Sequence, residues 1–234
     1  MFNLNPSAGA AGAAGTAGAI AVPREGYLTA AFVWMFLALL VSAATAAMTI
    51  ANEAALATVM DWWWILLIGQ FALVMVLTAA INRMSSTVAV LMLFVYAALT
   101  GATLSVIVLS FTVASVTSAF IGAAAIFGAA ALYGAVTRRD LTSLGGYLFV
   151  GLIGIIVASL VNIFIGGTTL SFIIGIVGVL IFTGLTAWDV QRIKTGRLNW
   201  VQNAQNASVV AALSLYLDFV NLFLMMLRIF GQQR

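Results

Sequence analysis

The run Ser208-Val-Val-Ala-Ala-Leu-Ser214-Leu-Tyr-Leu-Asp218-Phe-Val-Asn221-Leu-Phe-Leu-Met-Met-Leu-Arg228-Ile-Phe230 places one carboxylate near the middle of an otherwise apolar stretch. At 1.5 Å per residue it is long enough to cross about 30 Å of hydrocarbon, so it reads as a membrane-spanning helix. An ionised acid at the centre of such a helix costs at least about 3 kcal/mol, and intramembrane acids face a bundle interior or water and serve a function there. A second acid, Asp189, stands near the end of the preceding apolar run. The functional question is whether Asp189 and Asp218 work together.

Composition agrees with the membrane reading. Of 234 residues, 64% are hydrophobic and only 6% charged, against about 25% charged in a soluble domain, and the mean hydropathy is +1.18. Apolar runs recur along almost the whole chain and leave no room for a soluble catalytic domain. The chain has no Cys and no His, which removes thiol nucleophiles, Cys/His zinc sites and Ser-His or Cys-His catalytic pairs. Titration near neutrality therefore has to use carboxyls rather than imidazole. Nine Lys plus Arg in short loops read as topology signals rather than a nucleic-acid surface.

Residues 1–22 are nearly all small or polar and are expected to be a disordered Ala/Gly-rich tail, too poor in large side chains to offset the entropy of ordering. Residues 23–234 form the membrane domain. Seven spans are predicted, at about 27–49, 62–82, 87–110, 113–136, 144–165, 169–191 and 208–230. Linkers this short make neighbours antiparallel, so the expected architecture is an all-α, compact seven-helix bundle rather than a barrel. An internal amino terminus collects Arg24, Arg83, Arg138, Arg139, Arg192, Lys194 and Arg197 on one side and leaves Arg228 and Arg234 on the other, so the amino terminus is expected in the cytoplasm and the carboxyl terminus outside. Glu53 and Asp61 then read as solvated acids of the first external loop, with Trp62-Trp63-Trp64 anchoring the outer interface. Arg138-Arg139-Asp140 reads as a cytoplasmic loop anchor, and Asn162 as a polar residue bonding across helices. Asn206-Ala-Ser208 fits a glycosylation sequon on the cytoplasmic side, where it goes unused.

Helical spacing puts Ala211, Ser214, Asp218, Asn221 and Met225 on one face of the seventh span. On the sixth, Thr186 lies one turn before Asp189 and Arg192 one turn after it, a spacing that also suits an ordinary interfacial ion pair. The span limits set Asp218 near the midplane and Asp189 about nine residues toward the cytoplasm, a separation of roughly 10–15 Å. Periodicity alone does not bring the two acids together.

Two strings on adjacent helices resemble a known family. Trp188-Asp189-Val-Gln191-Arg-Ile193-Lys194 looks like the aromatic-Asp-x-Gln-x-Ile-Lys signature of the Bax inhibitor family, the transmembrane Bax inhibitor motif proteins, and Ala212-Leu-Ser-Leu-Tyr-Leu-Asp218-Phe-Val-Asn221-Leu-Phe-Leu resembles its other signature. The seven-span layout agrees over residues 27–230, as in bacterial members that reside in the inner (plasma) membrane. Trp188 stands where Tyr is more usual, the segment between the motifs is longer than in compact bacterial members, and the tail matches nothing in the family.

The resemblance implies that Asp189 and Asp218 form a carboxyl pair that senses pH and gates a calcium leak, with Ca²⁺ held there only in transit and no cofactor. Thr186, Ser214 and Asn221 would support the pair. It also implies a latch from a basic residue at the start of the third span onto the sixth-span acid, a place held here by Arg83. The physics is consistent with such a pair: two carboxyls at contact do not both ionise cheaply, so they hold a shared proton, and its loss separates them or opens an oxygen-lined site for a hard cation. The implied partners are the lipid bilayer, protons and calcium ions. Two other readings stand beside this one. One is a membrane-embedded modulator of another membrane protein, such as a quality-control protease or a cell-death regulator, with the tail as tether. The other is an intramembrane aspartyl protease using the two acids as a dyad; the absence of a Gly-x-Gly-Asp string at Asp218 and of any proline after Pro23 argues against catalysis.

Overall fold

The computed structural model describes residues 24–232, so the expected tail and Arg234 lie outside the described residues. The chain folds as α1 (Arg24–Ala51), α2 (Glu53–Asp61), α3 (Trp63–Ala80), a 3₁₀ turn (Ile81–Arg83), α4 (Ser86–Leu109), α5 (Val113–Val136), α6 (Thr142–Ile165), α7 (Thr168–Lys194) and α8 (Ala204–Phe230). Seven of these, α1 and α3 to α8, are long and apolar enough to cross a membrane, and they match the expected spans to within a few residues.

Local chemistry sets the ends. Ser85 and Thr112 accept from the N–H groups of Val88 and Ser115 at the starts of α4 and α5, and Asn203 accepts from Gln205 and Asn206 at the start of α8, each satisfying donors that the first turn leaves free. Gly166 follows α6 and Gly196 follows α7 with φ of 69° and 71°, a left-handed conformation that glycine adopts without strain. The segment between the first two spans departs from the expected loop. Asn52 caps it, accepting from Ala55 N–H at 3.1 Å, and Glu53 opens the short helix α2, where an acid suits the helix dipole. Glu53 and Asp61 remain exposed, as expected of solvated acids.

α8 is the central post. It is buried along most of its length, and α1, α4, α5 and α7 pack around it. α3 lies outside α4, and α6 packs principally on α7 with little of its surface buried. This order inverts the soluble rule. α6 is an almost unbroken apolar helix and takes the lipid-facing position, while the helix carrying Asp218 takes the centre, where the acid is shielded from hydrocarbon. Small residues permit close approach between helices that gain no hydrophobic drive from association. A side chain at Gly134 would strike the backbone of Ala187 on α7, and one at Gly101 the backbone of Ser42 on α1.

Candidate functional site

α7 and α8 run antiparallel, and their glycine contacts fix the register. A side chain at Gly178 would meet Met225, and one at Gly175 would meet Arg228 and Ile229. This register sets Asp218 opposite Leu185, four residues, or about 6 Å along the axis, from Asp189. That span is within reach of two leaning aspartates, so the two carboxyl groups come close enough for each to act on the other's charge. The 10–15 Å separation expected from span limits is thus corrected. Those limits treated residues 191 and 208 as level, whereas α8 starts at Ala204 and sits about one turn lower against α7.

Both acids are buried, at 8% exposure for Asp189 and 5% for Asp218. Their surroundings differ. Asp189 Oδ1 has Arg192 Nη1 at 3.9 Å, and the Arg192 guanidinium also lies 5.1 Å from the centre of the Trp188 ring. Among the described residues Asp218 has no cation paired with it, and its Oδ2 is buried without a hydrogen-bond partner. A direct bond between the two carboxyls requires one proton between them, since an ionised carboxylate only accepts.

The supporting residues take less part than their helical face suggested. Thr186 is fully buried, but its hydroxyl donates to Phe182 O at 2.8 Å. Asn221 Nδ2 donates to Leu217 O at 2.8 Å, and Ser214 is half-buried with no side-chain hydrogen bond among the described residues. Arg83 is exposed on the 3₁₀ turn and makes no ion pair among the described residues; the cation that reaches Asp189 is Arg192.

Two signature residues do structural work that the sequence did not reveal. Gln191 Nε2 donates to Arg139 O at 2.7 Å while its Oε1 accepts from Leu141 N–H at 2.8 Å, clamping the turn between α5 and α6 to the end of α7. Lys194 Nζ adds a bond to Ala135 O. Arg197 pairs with Asp140 at 3.1 Å and also contacts Thr142 Oγ1, so the expected loop anchor is tied from outside as well. The Thr142 hydroxyl and N–H, with Arg197 alongside, hold the Asp140 carboxyl below the ordinary carboxylate range.

Asn206, expected as an idle sequon, is 1% exposed and clamps a turn. Its Nδ2 donates to Ile81 O at 2.9 Å and Met84 O at 3.1 Å, and Asn82 meets Trp200 O and Gln202 N–H beside it. The turn bearing Arg83 is therefore fastened to the start of α8. Among the described residues Asn162 makes no bond across helices: its Oδ1 is buried without a partner.

A polar chain also crosses the bundle interior. Ser42 Oγ lies 2.7 Å from both Ala97 O and Tyr216 OH, so it donates to the carbonyl and accepts from the phenol. Gln70 joins Thr100 at 3.3 Å and Thr103 at 3.1 Å. These groups satisfy one another between α1, α3, α4 and α8. Among the described residues no cluster of three or more His, Cys, Asp or Glu side chains exists to hold a metal, so two carboxyls offer a divalent cation at most a transient site.

Residues 24–234 match the family described as "Inhibitor of apoptosis-promoting Bax1". The chain is 43% identical over 227 residues to "Inner membrane protein YbhL" of Escherichia coli K12, covering 92% of this chain and 97% of the relative. It is 43% identical over 218 residues to an uncharacterized protein of Borreliella burgdorferi, covering 90% and 94%. To an uncharacterized membrane protein of Streptococcus pyogenes serotype M3 it is 44% identical over 164 residues, covering 68% and 71%. With both signatures seated on the facing helices α7 and α8, and the match running the length of the seven-helix bundle, the chain belongs to the Bax inhibitor family.

Proposed function

We propose that this protein is a pH-sensitive calcium leak channel of the bacterial inner membrane, with the amino terminus in the cytoplasm and the Asp189–Asp218 pair as its gate. The observation that carries the reading is the meeting of two buried carboxyls at the interface of α7 with the central helix. While one proton is shared, the pair joins α7 to α8. As pH rises that proton is lost, and two adjacent carboxylates repel with little solvent to screen them. Arg192 offsets the charge on Asp189. Asp218 has no such partner, so the strain falls on α8, and the freed oxygens present hard ligands to a passing Ca²⁺. No catalytic role and no cofactor is needed. Arg83 would serve as a latch only after its turn is released from Asn206. The modulator reading draws on the tail, which lies outside the described residues, and no feature of the bundle favours it.

The test is Ca²⁺ flux into proteoliposomes across a pH series. Wild-type flux is expected to rise with pH, and Asp218→Asn, which removes the second charge at every pH, is expected to abolish that rise; Asp189→Asn should do the same. Unchanged pH-dependent entry in both variants would sink the proposal.

A further inference from the structure

Where α6 leans away from α4, a cleft of about 560 Å³ opens between α4, α6, α7 and the last turns of α8, within the ~300–1,000 Å³ range of small-molecule sites. Its floor is buried and apolar, formed by Ile155, Phe182 and Met225, and its rim on α6, including Ile156 and Leu160, is exposed toward the bilayer. Arg228 lines the same cleft, half-buried, in the last turn of α8. No acid lines the cleft, and Arg228 makes no ion pair among the described residues. Among the described residues, Ser159 and Asn221 are the only other polar side chains in the lining. Just beyond the helix the backbone of Gln232 is tied to the start of α5, where Thr112 N–H donates to Gln232 O and Gln232 N–H donates to Ser115 Oγ.

We infer that this cleft binds one anionic phospholipid from the leaflet at the C-terminal end of α8, with the phosphate on Arg228 and an acyl chain along the α6–α7 groove. Three features select that occupant. The rim opens sideways to lipid, the floor offers apolar contact and no acceptor for a soluble ligand, and a half-buried guanidinium in an apolar cleft calls for an anion. A zwitterionic headgroup brings its own cation and satisfies Arg228 less well.

The test uses native mass spectrometry of the intact protein taken from nanodiscs of equal phosphatidylglycerol and phosphatidylcholine with matched chains. Wild type is expected to retain phosphatidylglycerol about fivefold over phosphatidylcholine, the worth of one cation near an anionic lipid surface. Arg228→Lys should keep most of that preference and Arg228→Gln should bring the ratio to one. Ser159→Trp, which fills the cleft and leaves the cation, should lower retention of both lipids. An even ratio in wild type, an unchanged ratio in Arg228→Gln, or full retention in Ser159→Trp overturns the inference. So does displacement of phosphatidylglycerol by millimolar glycerol 3-phosphate, which would mark a site for the soluble headgroup alone. If Arg228→Gln does not fold, the Arg228→Lys and Ser159→Trp arms decide the question.

Discussion

Asp189, Asp218 and Asp140 are all acids near the same pair of helices, and their neighbours give them three different tasks. Asp140 is exposed, held by Thr142 and Arg197, and titrates below the ordinary carboxylate range. Its folded-state titration is depressed, so the stability it adds is present above the unfolded value of 3.8 and is lost as pH falls through the lower folded value. It contributes no response near neutrality. Asp140→Asn is therefore expected to leave the midpoint of the flux–pH curve unmoved in the assay that Asp218→Asn flattens; a shifted midpoint would assign part of the sensing to the α5–α6 turn. The two intramembrane acids were legible in the sequence, because a charge inside an apolar run is conspicuous. The duties of Gln191 and Asn206 were not, since both depend on backbone N–H and C=O groups in turns 50 to 125 residues away.

The contact between the acids is decided by how α7 and α8 are set against each other. Hydropathy misplaced that register because it ends a helix where apolar residues end. α8 begins instead with Ala204-Gln-Asn-Ala207, a turn that carries the polar Gln205 and Asn206 and is started by the Asn203 cap, and α7 continues through Arg192-Ile-Lys194. The register itself rests on Gly175 and Gly178 meeting Arg228 and Met225. Gly178→Leu is expected to cost about 1–3 kcal/mol by overpacking, read as lower thermal stability in detergent, and to weaken the coupling of the two acids. Asn206→Ala leaves the carbonyls of Ile81 and Met84 short of a donor and is expected to cost about 1–3 kcal/mol, with faster amide exchange over residues 81–85. Exchange unchanged in that variant would show that the Asn82 contacts hold the turn by themselves.

At the scale of the molecule, seven spans and their short connections follow from composition and run length. What the sequence left hidden is which helix goes where. Outside the seventh span, with its face of Ser214, Asp218 and Asn221, periodicity marks little of an inner face, and the useful signal is which helix carries the groups that hydrocarbon rejects. By that measure α8, with Asp218, Tyr216 and Asn206, belongs at the centre and α6 at the edge. The arrangement of basic residues adds a sidedness prediction: a reporter that is active only outside the inner membrane should be active when fused after residue 232 and silent when fused before residue 24. Activity at the amino-terminal fusion would reverse the orientation.

The central place of α8 bears on how the protein is made. Chain synthesis delivers α8 after the six spanning helices that end up around it or beyond it. Until then α1, α4, α5 and α7 lack the surface they close upon, and their polar groups, Ser42 among them, have no Tyr216 to meet. The early helices can insert and pair, as α1 does with α4 and α5 and α6 do with α7, but the two groups are joined around a common axis only when α8 arrives, so completion of the fold waits on contacts between the far ends of the chain. A chain released before residue 204 would be inserted without being folded, leaving intramembrane polar groups exposed to any machinery that inspects the bilayer for incomplete proteins.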